Sequence, residues 1–218
     1  MVALAGGETP RRTYRRLAAE PRRSQVAWSQ VVVLWGDERC VPADSADSNY
    51  RMAKDALLDH VAVRPEHVHR IHGEEDPATA AAKYETTLRG VFGTPTGPPR
   101  AGVGTAIDLV LLGLGADGHT ASLFPGSAAA RERSSWVVAA YAAAVSMWRI
   151  TLTAEVINAA MAVSFIVSGG TKAEILRQVR HQQPGGVVLP AQLIAPSNGQ
   201  VRWLVDAAAA AMLDDVPP

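Results

Sequence analysis

The sequence predicts an α/β fold: a mostly parallel sheet with helices on both faces. Two observations predict it. Short apolar runs rich in β-branched residues alternate with helix-like stretches, the pattern of strands joined by helical crossovers. Three of those runs also end in glycine-containing turns, which in a parallel sheet fall at the carboxyl edge, where small molecules bind. With 218 residues, 48% of them hydrophobic, the chain can bury one sizeable core. Residues 1–218 are therefore expected to form a single domain.

Val2 to Ala5 is the first expected strand, and Gly6-Gly7-Glu8-Thr9-Pro10 turns out of it towards a helix. Val31 to Trp35 is the second, followed by the charged triplet Asp37-Glu38-Arg39. Ser48 is a good N-cap for a helix over Asn49 to His60, and Asp76 caps a helix over Pro77 to Phe92 with proline at its first position. Thr94 to Gly104, rich in Pro and Gly, reads as a surface loop because a strand, Ile107 to Leu112, resumes after it. Gly113 to His119 forms the second glycine turn, and Pro125 keeps any helix after it short or interrupted. Further strands are expected at Trp136 to Ala140, Arg149 to Thr153, Ser164 to Val167 and Val201 to Val205. The third glycine turn, Gly169-Gly170-Thr171-Lys172, leads into a helix with Lys172 in its first turn. Ala207 to Ala211 reads as a closing helix, since alanine has the best helix propensity.

Composition excludes several function classes. The 21 basic and 21 acidic side chains cancel, so no global field favours nucleic acid or an anionic membrane. No apolar run approaches the ~20 residues of a membrane helix, and Met1 to Gly7 is too short and uncharged for a signal peptide. Cys40 is the only cysteine, which fits a reducing compartment, so a cytoplasmic location is expected. An anionic ligand would have to be held locally, and helix N-termini at glycine turns offer unpaired N–H groups for that purpose. Lys172 would add a full charge there.

Each candidate also has a plainer reading. Asp37-Glu38-Arg39 fits either a solvated turn or a binding edge. His67, His69 and His72 could gather a metal, but His72 would point away from the other two, so surface histidines with no metal are expected. Cys40 is read as a small buried thiol. Gly113-Leu114-Gly115-Ala116-Asp117-Gly118 formally matches a dinucleotide fingerprint, yet the next strand ends in Tyr141-Ala142-Ala143-Ala144, without the carboxylate that would hold a ribose.

Read together, these segments resemble the 6-phosphogluconolactonase family over nearly the whole chain. The resemblance rests on Gly6 to Pro10, on Trp35-Gly36-Asp37-Glu38-Arg39-Cys40-Val41-Pro42 with Ser48-Asn49-Tyr50, and on LGLGADGHTASLFP from Leu112 to Pro125. Arg149 to Thr153 with Asn158, Gly170 to Ala173, Pro190-Ala191, and Trp203 with Asp206 add to it. It implies a Rossmann-like fold of the sugar-phosphate isomerase/lactonase type. Its implied activity is hydrolysis of 6-phospho-D-glucono-1,5-lactone to 6-phospho-D-gluconate by a cytoplasmic monomer without cofactor or metal, whose partner is the small sugar-phosphate lactone. Carried over by position, it makes His119 the catalytic base with Asp117 beside it. Gly7, Thr9, Arg39 and Lys172 become phosphate or substrate contacts, and Asp37 and Asn49 line the pocket.

Three features depart from the family pattern. Glu8 stands where a small hydroxyl residue is usual, and its charge near a phosphate is unfavourable unless the side chain turns outward. Met147-Trp148 replaces a proline-containing approach. Met1 to Ala5 stands where family members carry a leading helix and strand, so an N-terminally short fold with an apolar patch beside Val2 and Leu4 is expected.

The chemistry is consistent with one histidine. Lactone hydrolysis needs a base for water, donors for the oxyanion and a proton for the ring oxygen. A neutral imidazole, with an ordinary pKa of about 6.5, can carry that proton traffic. Competing readings are a glucosamine-6-phosphate deaminase, whose motif continues differently after the Asp-Gly-His turn, and a sugar-phosphate-sensing module. No helix-turn-helix segment or basic patch supports the latter.

Overall fold

Why the chain folds as it does is clearest at the carboxyl edge of its main sheet. The computed structural model describes residues 1–93, 107–181 and 188–213. Strands β1 (Val2–Leu4), β2 (Val33–Trp35), β4 (Leu109–Leu112), β7 (Ala162–Val167) and β8 (Gln200–Val205) form a five-stranded parallel sheet in the order β2-β1-β4-β7-β8. A second, three-stranded antiparallel sheet runs β3 (Asp37–Arg39), β6 (Met147–Leu152), β5 (Val137–Ala142). Gly36 joins them: its N–H donates to Leu4 O of β1 (2.9 Å) and its O accepts from Leu152 N of β6 (2.9 Å).

Side chains end the parallel ladder where strands stop and turns begin. The Tyr14 hydroxyl, from α1 (Glu8–Ala18), donates to Ala5 O and accepts from Ala5 N–H, both at 2.9 Å. Tyr84, from α3 (Pro77–Phe92), does the same for Trp35, at 3.0 and 2.8 Å. Both phenols are buried, and burial raises the pKa of each well above its ordinary range. Each buried backbone group is thus satisfied, as the interior demands.

The α/β expectation holds, with local corrections. The expected strand at Val2 to Ala5 is β1, paired on both edges with Leu4 buried, so no apolar patch lies at Leu4. Asp37-Glu38-Arg39 is a strand, because its backbone pairs with β6. Helix α2 (Asn49–Ala56) begins at the expected Ser48 cap but stops before His60, since Leu57 leaves helical geometry (φ −140°, ψ −60°) and is buried in the core. Helix α3 has the expected bounds, with the Asp76 side chain accepting from Thr79 N–H and Gly93 closing it in the left-handed region (φ 68°). The middle glycine turn enters no helix directly: α4 (Ala128–Arg131) begins only after Pro125. Lys172 is the N-cap residue of α5 (Ala173–Arg180) rather than lying within it. Residues Ala207 to Ala211 form turns instead of a helix; Asp206 accepts from both Gly169 N–H and Ala209 N–H, and so few residues do not repay helix nucleation. The loop expected over Thr94 to Gly104 lies outside the described residues.

Candidate active site

Both sheets contribute to one cleft. A cavity of about 290 Å³ is lined by Gly6 and Gly7 after β1, Gly113 to Ala116 after β4, His119, Asp37, Arg39, Asn49, Arg149 and Lys172. A smaller one of about 260 Å³ shares Gly6, Gly7 and Lys172 and adds Thr9 and Ser168. The structure therefore brings together all the sequence-predicted site residues except Asp117, which stands behind His119, and Thr9, which faces the smaller cavity and pairs its Oγ1 with Ser168 Oγ at 2.9 Å. Wider clefts of about 620 and 470 Å³, lined by Arg70 and His72 among others, share no residue with this group.

His119 sits in a turn shaped by glycine. A Cβ built on Gly115 would lie 2.1 Å from His119 Nδ1, so only glycine lets the imidazole fold back over its own loop. Gly115 N–H donates to His119 O (2.8 Å), and Phe124 packs against the ring with centroids 4.9 Å apart. Asp117 Oδ1 lies 2.5 Å from His119 Nδ1 and also accepts from His119 N–H at 3.1 Å. Burial opposes ionisation of Asp117, but the His119 N–H and imidazole outweigh it and hold the carboxyl below its usual value. An ionised carboxylate at Nδ1 makes that nitrogen the donor and leaves Nε2 as the proton acceptor.

The opposite wall is a polar network on β3 and α2. Glu38, only 2% exposed, accepts from the N–H groups of Arg39, Asn49 and Tyr50 (each 2.7 Å) and from Ser48 Oγ (3.0 Å). Burial pushes its pKa up while these donors pull it back. This clamp fixes the first turn of α2, a favourable place for a carboxylate, and so places Asn49. Asn49 Nδ2 donates to Asp37 O (2.9 Å) and Oδ1 (3.2 Å), and Asn49 Oδ1 would meet a Cβ on Gly6 at 1.9 Å, so the side chain fills the space that glycine leaves. Asp37 Oδ2 accepts from Ser122 Oγ (2.7 Å) and lies 3.9 Å from Arg149 Nη1. Asp37 and Asn49 therefore line the cleft with most of their polar atoms engaged by the protein.

Other positions fall as follows. Gly7 is the N-cap of α1 and carries no side chain to cap its N–H groups. Among the described residues Lys172 has no ion-pair or hydrogen-bond partner on its side chain. Arg39 donates from Nη1 to Asp47 O, and its buried Nε has no partner among the described residues. Glu8 turns outward, paired with Arg11 and, at 3.2 Å, with Arg12. Cys40 is half-buried, and burial pushes its thiol up to about 11. His67 lies 2.8 Å from Arg64, and His72 lies 3.3 Å from Glu74. Sequence reasoning gave no role to Glu38, Ser122 or Arg149, though Arg149 opens the otherwise uncharged run Arg149-Ile150-Thr151-Leu152-Thr153.

A family model described as glucosamine-6-phosphate isomerases/6-phosphogluconolactonase matches residues 1–203. The chain belongs to this family. A 6-phosphogluconolactonase of Nostoc is 39% identical over 213 residues, which cover 97% of this chain and 84% of the relative. One from Haemophilus influenzae is 34% identical over 212 residues, covering 97% and 87%. The solved 6-phosphogluconolactonase of Trypanosoma cruzi superposes with a TM-score of 0.84 at 30% identity, over 98% of this chain and 84% of that one. In this family member the mostly parallel sheet and its helices carry the glycine turns that the sequence placed at strand ends.

Proposed function

We propose that the protein is a 6-phosphogluconolactonase, opening 6-phospho-D-glucono-1,5-lactone to 6-phospho-D-gluconate in the oxidative pentose phosphate pathway. The observation that carries this reading is a single imidazole, held at Nδ1 by Asp117, in a cavity it shares with Arg39, Lys172 and the uncapped N-terminus of α1. His119 Nε2 takes a proton from water as the oxygen attacks C1. The tetrahedral intermediate then breaks its C1–ring-oxygen bond, and the imidazolium returns the proton to the departing ring oxygen. The new carboxylic acid ionises on release. Gly7, Thr9, Arg39 and Lys172 hold the phosphate, and Asp37 and Asn49 shape the wall. Binding energy from the remote phosphate orients the lactone over His119. The chain acts as one domain, in the cytoplasm, as a monomer without cofactor or metal.

The test is acid release from freshly prepared 6-phosphogluconolactone, corrected for spontaneous opening, with His119→Ala as the control. Replacement of the base lowers the enzymatic rate by roughly 10²- to 10⁴-fold. A variant that keeps more than a third of wild-type turnover removes His119 from the base role. Ammonia release from glucosamine 6-phosphate would instead favour a deaminase.

A further inference from the structure

We propose that Arg149 is a further substrate-reading residue, which joins Arg39 across β3 and β6 to form a paired-guanidinium contact for the substrate's phosphate. The proposal deepens the lactonase reading and rests on it. Arg39 and Arg149 are direct partners in the antiparallel register. Leu152 N–H donates to Gly36 O and Cys40 N–H to Trp148 O. Positions 36 and 40 are therefore hydrogen-bonded pairs, and Arg39–Arg149 falls in a non-hydrogen-bonded pair, where opposed side chains stand closest. Two like charges placed there repel each other unless something negative lies between or beside them.

The protein supplies part of that negative charge, from Asp37, Glu38 and Asp47, but leaves guanidinium donors unmatched. Arg149 is largely buried, with its side chain 16% exposed; among the described residues its one ion pair is the 3.9 Å approach to Asp37, whose oxygens already accept from Ser122 and Asn49. The Nε atoms of both arginines are buried with no partner among the described residues, a costly state for charged donors. Burial, together with the charge of Arg39, pushes the Arg149 pKa down even though Asp37, Glu38 and Asp47 oppose it. Arg39, Arg149 and Lys172 all line the cavity that contains His119, and Asp37 is the one carboxylate on that lining. In a chain of zero formal charge, this is a local excess of cation. A phosphate dianion supplies the missing charge and acceptors, and guanidinium groups match its geometry.

The experiment uses Arg149→Gln and Arg149→Lys in the full chain. It measures kcat and KM on 6-phosphogluconolactone and on unphosphorylated gluconolactone, and the rise in melting temperature with added inorganic phosphate. Loss of a hydrogen-bonded charge contact predicts that Arg149→Gln lowers kcat/KM on the phosphorylated lactone about 10- to 150-fold, mainly through KM. The loss on the unphosphorylated lactone stays under about threefold, and the phosphate-induced rise disappears. Arg149→Lys, which keeps the charge, recovers part of both and serves if the glutamine variant does not fold. Equal losses on the two lactones, a loss in kcat alone, or an unchanged phosphate response in either folded variant overturns the proposal, as does a wild type that shows no phosphate response. A wild type that binds phosphate but opens neither lactone sinks the lactonase reading while the phosphate titration still decides the role of Arg149.

Discussion

An alanine at position 115 has nowhere to put its methyl group except against the imidazole of His119. The added Cβ would lie 2.1 Å from Nδ1 and 2.3 Å from Cε1, whereas ordinary contact begins near 3.4 Å. Gly115 is not in the left-handed region, so the backbone itself accepts alanine and the whole conflict falls on the ring. The imidazole must retreat by more than about 1 Å, which breaks the 2.5 Å contact with Asp117. A displacement of that size costs on the order of 10²-fold in rate, at the lower bound for losing the base altogether. Gly115→Ala is therefore expected to lower kcat on 6-phosphogluconolactone about 10²-fold and to leave the melting temperature within a few degrees. The same change in a His119→Ala background should cost almost nothing more, because both act on one group. Gly90→Ala serves as the control: position 90 lies in α3 with open space around it, and alanine there should add up to about 1 kcal/mol of stability without touching kcat. A folded Gly115→Ala variant within threefold of wild-type kcat would refute the placement of His119 as the reacting group.

Lys172→Ala should cost kcat/KM about 10- to 150-fold on the phosphorylated lactone and far less on gluconolactone, and equal losses would show that it does not touch phosphate. Glu38→Ala leaves three backbone N–H groups and the Ser48 hydroxyl without their acceptor, so urea denaturation should show a loss of at least about 3 kcal/mol; a loss below about 1 kcal/mol would mean that water replaces the clamp. Glu74 is held down to about 2 by its hydrogen bonds to Arg70, so its contribution is complete above the ordinary 4.5 and is lost as pH falls through about 2. With a third of the side chain exposed, that contribution is about 1 kcal/mol. The stability gap between wild type and Glu74→Gln should close on acidification, and a gap that does not depend on pH would refute the pairing.

What was legible in the sequence was whatever is decided locally. Helix α3 could be read because its starting signals are neighbours, the Asp76 cap and Pro77 at the first position. The glycine turns were legible because each follows a buried apolar run. Strand β3 was not, because Asp-Glu-Arg has no apolar alternation and is a strand only through pairing with β6. The clamp at Glu38 was hidden for the same reason: a charged triplet does not reveal which carboxylate turns inward to a helix that begins at Asn49. Arg149 stands in a recognisable motif that assigns it no role, since its meaning depends on lying opposite Arg39. Family resemblance supplied the candidate site residues, and the fold collected them without showing what each does.

Gly36 hydrogen-bonds to β1 on one side and β6 on the other, and the candidate site straddles the seam it stitches. His119, Gly7 and Lys172 hang from the parallel sheet, while Asp37, Arg39 and Arg149 hang from the antiparallel one. An anion gripped from both sides becomes a further tie rod between two sheets that the Gly36 backbone and the hydrogen bonds of Ser122 to Asp37 and Thr151 already join. Occupancy should therefore be felt as stiffness along the join: the Leu152 and Gly36 amides, which close the seam, should exchange their hydrogens more slowly when phosphate is present, well beyond the atoms it touches.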